Sequence, residues 1–355
     1  LLRNFGLIML ALCTLGLGAA QQSAPGPLLG FFPTPARPTW RDMLATLDGI
    51  SHHAGAVLLQ RNVPWQDFAE SPEATSREFE DLKNLVQLSR QRGLEPIFVV
   101  DALNGLDRRR FYGLPPAWGR VGFSDPRVRR AFTDFAVRIA REFHPRYLGL
   151  GSEVNTYMAA HPADAANLVS LYRETYVAVK QASPATLVFA TFQWDQLRRG
   201  WTGVDWGPIE AFEPLLDLWV ISSYPCFDYP QGPPAGYYTP LSLHTSKPLA
   251  VAEGGCSSER VGRWPGSAAA QIAYLRAIRD QLGPWLAFWI YLLYNDVDAN
   301  AYHSATASER DQKTLTLFAS MGLADAAGRP KAALAFWDVI RREAQKSPPA
   351  PAKAR

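Results

Sequence analysis

Glu153 and Glu253 each close a short apolar run flanked by small residues, in Leu148-Gly149-Leu150-Gly151-Ser152-Glu153 and in Leu249-Ala250-Val251-Ala252-Glu253-Gly254-Gly255. A carboxylate at the end of a buried segment costs several kcal/mol unless it is paired or used, and small neighbours let another molecule approach it. Brought together, two such groups can divide the roles of nucleophile and general acid/base, because close like charges raise one pKa and leave the other group ionised. Other chemistries lack their residues. The six histidines show no HExxH-type spacing, and the chain has neither a G-x-S-x-G elbow nor a P-loop. Metal-assisted hydrolysis, the common esterase mechanism and nucleotide hydrolysis are therefore not expected, and neither a metal nor a cofactor is called for.

The elements that must position the two glutamates are written in the hydrophobic pattern. Eight near-continuous apolar runs, Leu28–Phe32, Ala56–Gln60, Pro96–Val100, Tyr147–Leu150, Thr186–Thr191, Leu218–Ser222, Leu249–Ala252 and Leu286–Tyr291, read as strands buried on both faces. Helices fill the gaps: Thr39 to His52, Ser71-Pro72 to Arg92, Asp125-Pro126 to a stop before Pro145, Pro162 to Ala182, and Ser267 to Leu282. The connections after strands five and six are poor in helix and rich in Gly, Pro and aromatic residues, so loops decorate the fold there. Strand-helix units repeated over about 300 residues give an α/β fold of the TIM (β/α)8 class. An open doubly wound sheet fits less well, since the first turn, Phe31-Phe32-Pro33-Thr34-Pro35, has no glycine-rich phosphate loop. In a barrel the groups just after each strand carry function. Those are Arg61, Asp101, Ser152 with Asn155 beside Glu153, Trp194, Tyr224, and Trp289 within the last strand.

Composition bounds the rest. A chain of 355 residues, 47% hydrophobic and 19% charged, can bury a large core, and one catalytic domain is expected over 26–345. The 36 Lys and Arg against 33 Asp and Glu are spread rather than blocked, which disfavours a nucleic-acid partner. Residues 1–20 read as a signal peptide, with Arg3, an apolar stretch from Phe5 to Leu17 and small residues at Gly18-Ala19-Ala20. A secreted or periplasmic protein with no membrane span follows. A lipid anchor on Cys13 is the lesser expectation, because Leu10-Ala11-Leu12-Cys13 places a bulky Leu where lipoprotein signals carry Gly or Ala. The segment 347–355, rich in Pro and Ala, reads as a disordered basic tail. A monomer is expected.

Glu after strand four, Tyr after strand six, Glu after strand seven and Trp in strand eight together resemble the clan A glycoside hydrolases. These are retaining (β/α)8 glycosidases that include β-mannanases, β-galactanases and cellulases. The resemblance spans roughly 28–340 and includes the ending Gly322-Leu323-Ala324-Asp325-Ala326-Ala327-Gly328-Arg329-Pro330-Lys331-Ala332-Ala333. It implies a carbohydrate substrate whose β-glycosidic bond is cleaved by double displacement, with Glu153 as acid/base and Glu253 as nucleophile. Retaining chemistry places the two carboxyls about 5–5.5 Å apart. Tyr224 would donate to the Glu253 carboxylate, and Trp289 would stack on the reacting sugar. Trp194, Asn155, Ser152, Arg61 and Asp101 would line the substrate. In most members an Asn precedes the acid/base, whereas this chain has Ser152. That departure keeps open a second expectation, a catalytically inactive barrel that binds polysaccharide.

Without residues 1–20 two cysteines remain. Cys226 lies two residues past Tyr224 and Cys256 three past Glu253. Neighbouring parallel strands run about 4.8 Å apart and disulfides need Cα separations of about 4.4–6.8 Å, so a bridge between these strand ends is expected, the alternative being two unpaired thiols.

Overall fold

The computed structural model describes residues 26–73, 76–199, 203–305 and 308–346. The expected signal peptide 1–20, Cys13 and the tail 347–355 lie outside the described residues. The apolar runs all form strands: β1 (Leu28–Phe32), β2 (Ala56–Asn62), β3 (Glu95–Asp101), β4 (Tyr147–Leu150), β5 in two pieces (Leu187–Phe189 and Thr191–Gln193), β6 (Trp219–Ser223), β7 (Leu249–Gly254) and β8 (Leu286–Leu293). Their pairings are parallel, and the sheet runs from the first piece of β5 through β4, β3, β2, β1, β8, β7 and β6 to the second piece of β5. The ring closes at Ala190, where the chain changes neighbour: Phe189 pairs with Gly149 of β4, and Thr191 with Val220 of β6. This is the (β/α)8 barrel that the apolar pattern predicts.

Strands apolar on both faces are required because each faces two cores. Leu58, Val99, Tyr147, Phe189, Val220 and Phe288 meet in the packed centre of the barrel. The alternate residues, among them Val57, Leu59, Phe98, Leu148, Val251 and Trp289, belong to the layer between sheet and helices. That outer ring comprises α1 (Trp40–His53), α2 (Arg77–Arg90), α3 (Pro126–Phe143), α4 (Ala165–Ala182), α5 (Ala268–Leu282) and α6 (Ala332–Lys346). Thr39, Asp125 and Ser267 cap α1, α3 and α5 by accepting from backbone N–H groups of the first turn.

Two helix starts differ from expectation. Ser71 ends a short helix, Trp65–Glu70, and α2 begins only after Ser76, whose hydroxyl accepts from the Phe79 N–H at 3.0 Å. Glu78 and Glu80 in the first turn favour that start, where their charge meets the positive end of the helix dipole. Likewise α4 starts at Ala165 rather than Pro162. Short helical pieces occupy the connections after β5 (Trp194–Leu197, Gly207–Glu210) and after β6 (Pro225–Phe227, Thr239–His244). A hairpin after β3, Leu103–Asn104 paired with Asp107–Phe111, has no counterpart in the sequence reading. Among the described residues no helix is long and apolar enough to cross a membrane.

Candidate active site

Glu153 leaves β4 in the left-handed region, φ 49° and ψ 43°, which costs a non-glycine residue about 1–3 kcal/mol and persists only where neighbours fix it. The fixing groups are visible. The Glu153 N–H donates to Thr191 Oγ1 at 2.8 Å, and Ser222 Oγ donates to Glu153 Oε1 at 2.5 Å. Glu253 ends β7 beside β6, where the register slips so that Ser222 pairs with Glu253 instead of Ala252. Gly254 follows because a Cβ there would sit 2.4 Å from the Ser223 carbonyl oxygen.

Arg108, carried by the hairpin after β3, joins the two glutamates. Its Nε donates to Glu153 Oε2 at 3.1 Å, its Nη2 lies 3.9 Å from Glu253 Oε2, and its Nη1 pairs with Asp101. Asp101 is in turn held by Gln60 Nε2 at 2.8 Å and by the Leu103 N–H at 3.0 Å. Burial works against the charge of Arg108, but the three carboxylates outweigh it and raise its pKa. Asp101 is pushed up by burial even with Arg108 beside it. Burial, reinforced by the Glu153 charge, pushes Glu253 up to about 8.

The glutamates and Arg108 open into a cavity of about 290 Å³ lined also by Phe32, Thr34, Gln60, Leu106, Tyr224 and a wall of Leu292, Leu293, Val297, Leu315 and Phe318. Tyr224 stands at this cavity, its hydroxyl raised by burial and then by the Glu253 charge. The expected hydrogen bond from Tyr224 to Glu253 is not formed. Asp195 fixes that segment from behind, accepting from the Tyr224 N–H at 2.6 Å, Ser223 Oγ at 2.9 Å and Tyr237 OH at 2.5 Å.

Other expected positions fall elsewhere. Trp289 points away from the barrel interior and is 1% exposed, with its ring centroid 5.1 Å from that of Trp337 on α6, so it is core and reaches no cavity. The reason is strand alternation: Leu292, three positions on, faces the cavity instead. Trp194 is likewise fully buried, packed on Trp206. Asn155 ties the short helix Val154–Ala160 to β5, donating to the Gln193 carbonyl and accepting from its N–H. Ser152 hydrogen-bonds Thr191 at 3.2 Å. Arg61 lines a neighbouring cavity and not the one that holds the glutamates. Cys226 and Cys256 form the expected disulfide, with Cα atoms 5.5 Å apart. In the ending that carries the resemblance, Lys331 donates to Asp296, after β8, at 2.6 Å and to Ser258 at 2.8 Å.

Arg108 and Ser222 were not singled out from sequence. Arg108 lies in Asp107-Arg108-Arg109-Arg110, which reads as a solvated charge run. No alternation marks it either, since Asp107 and Arg108 are both buried while Arg109 and Arg110 are both exposed.

Neither a family model nor a curated protein matches the chain. Solved structures match its fold. An exo-β-1,4-mannosidase, Op5Man5, from Opitutaceae bacterium strain TAV5 has a TM-score of 0.66 at 20% identity, with 91% of this chain and 60% of that one covered. This chain therefore spans about 60% of the length of that mannosidase. A GH5_18 protein from Bifidobacterium longum subsp. longum ATCC 55813 has a TM-score of 0.70 at 16% identity, covering 92% and 81%. A GH5_18 protein from Streptomyces cattleya, in complex with GlcNAc, has 0.68 at 19% identity, covering 93% and 83%. The barrel is thus of the same fold as those of glycoside hydrolases.

Proposed function

We propose that the protein is a retaining glycoside hydrolase that cleaves β-glycosidic bonds of a poly- or oligosaccharide, with Glu253 as nucleophile and Glu153 as acid/base. One observation carries the reading: two buried glutamates, from the ends of β4 and β7, share one guanidinium at the edge of a cavity open to the barrel mouth. A purely structural origin would need separate compensation for each buried charge. In the first half-reaction the Glu253 carboxylate attacks the anomeric carbon while the Glu153 carboxyl protonates the leaving oxygen. Glu153 then removes a proton from water, which attacks the same carbon and releases Glu253. For this Glu153 must carry the proton when substrate is bound. The Arg108 charge works toward ionised Glu253 but is outweighed there by burial and the Glu153 charge, and the guanidinium lies nearer Glu153, at 3.1 Å against 3.9 Å, so bound substrate has to supply the bias.

The fold of the mannosidase makes β-mannosides the first sugars to try. The disulfide, together with the apolar stretch at 5–17, supports an exported protein. A second reading, a barrel that binds polysaccharide without turnover, is favoured by Ser152, which stands where most members of the resembled family carry Asn. A panel of aryl β-glycosides and β-glycans tests both. Release of aryl alcohol or reducing ends, with the β-anomer formed first, supports the hydrolase; binding without release supports the second reading.

A further inference from the structure

Beside the glutamate cavity lies a second one of about 400 Å³, between the loop after β1, the first turn of α1 and the end of β2. Phe32, Thr34 and Gln60 line both, so the two share a wall. The second cavity presents ring and apolar faces, Trp40, Met43, Pro35 and Tyr302, of which Trp40 is 64% exposed. Tyr302 is fixed in place, its hydroxyl donating to the Pro35 carbonyl at 2.7 Å. Arg61, next to Gln60, lines the same space. It is half-buried and among the described residues has neither a hydrogen-bond nor an ion-pair partner, and the carboxylate that acts on it, Asp81 of α2, lies beyond ion-pair range. A guanidinium stays charged at any working pH and offers five donors. Partly removed from water and unmatched, those donors are a cost that an incoming oxyanion would remove. The contrast with Arg108, which holds three carboxylates, is direct.

We propose that this second cavity is a subsite for an acidic sugar, so that the protein prefers a β-glycan bearing a carboxylate or sulfate, held by Arg61, with a pyranose face on Trp40 or Tyr302. This rests on the glycosidase reading for its place in a substrate, but the binding itself does not require turnover. The test is calorimetric titration of the intact protein with manno- and cello-oligosaccharides in three forms: neutral, oxidised to the carboxylate at C6, and sulfated at O6. At least one acidic form should bind about tenfold tighter than its neutral parent, with the advantage shrinking as salt is raised. Which acidic form gains more distinguishes carboxylate from sulfate. Arg61→Met should erase the advantage and Arg61→Lys should keep part of it, with thermal unfolding of each variant showing that the fold is intact. Equal affinity for acidic and neutral forms, no binding of any form, or an advantage that survives Arg61→Met overturns the proposal. Turnover of aryl β-glycosides is measured separately. Its absence refutes the hydrolase, while the acidic preference stands or falls on the titration.

Discussion

Glu253→Gln should trade activity for stability in a pH-dependent way. In the wild type, burial and the Glu153 charge hold the Glu253 carboxyl at about 8 against an ordinary 4.5. The folded state therefore binds a proton that the unfolded state releases across that window, and stability falls as pH rises through it. Each pH unit contributes about 1.4 kcal/mol, so the ceiling across the window is about 5 kcal/mol. Coupling of Glu253 to the neighbouring charges brings the expected loss down to roughly half of that. Glutamine does not titrate and keeps the shape of the side chain. The variant should match the wild type near pH 5, exceed it by about 2–3 kcal/mol at pH 9, and show no turnover, because the nucleophile is gone. Urea unfolding at pH 5, 6.5, 8 and 9, with the disulfide intact, gives the difference between the two proteins, in which titrations common to both cancel. A difference that stays flat with pH, or that favours the wild type at high pH, refutes the reasoning.

Four further outcomes are expected. Glu153→Ala should keep the first step on aryl glycosides with good leaving groups and be rescued by azide as a glycosyl azide of retained configuration; near-normal rates on all substrates would remove Glu153 from the mechanism. Arg108→Met leaves Asp101, Glu153 and Glu253 without their shared cation, so denaturant unfolding at pH 8 should show a loss of about 3–5 kcal/mol, and any residual activity should shift its pH profile upward. Thiol titration of the unreduced, denatured chain beginning at residue 21 should find no free thiol, and Cys226→Ser with Cys256→Ser should lower stability by about 3–4 kcal/mol; two free thiols in the wild type would deny the bridge. Trp289→Phe should lower Tm, since the ring packs on Trp337, while leaving KM unaltered; a KM change without a stability change would return Trp289 to the substrate.

The barrel was legible because a parallel strand covered on both faces has little choice of composition, and each of its runs, from Leu28–Phe32 to Leu286–Tyr291, lies where a strand forms. Glu153, Glu253 and Tyr224 were legible for a related reason: in a barrel the position just past a strand is a place in space. Trp289 misled because it lies inside a strand, where parity decides between the barrel centre and the helix layer, and an all-apolar strand does not reveal its parity. Asn155 was also visible as a polar group near Glu153, but both ends of its amide bond the Gln193 backbone. Arg108 was hidden, since its partners come from three different strand ends and nothing local distinguishes it from Arg109 and Arg110.

The interrupted fifth strand has a consequence for how the molecule yields. Where the chain changes neighbour at Ala190 the ring is held by two backbone stitches, the Asp217 N–H donating to the Val188 carbonyl at 2.9 Å and the Thr191 N–H to the Gly151 carbonyl at 3.2 Å. Thr191, at the longer stitch, is also the residue whose hydroxyl holds the Glu153 N–H. Loosening of that stitch would therefore tilt Glu153 while Glu253, paired through β7 with β6, stays put. Amide exchange at 190–193 that slows when a sugar fills the cavity would register this coupling as a change in stiffness rather than in shape.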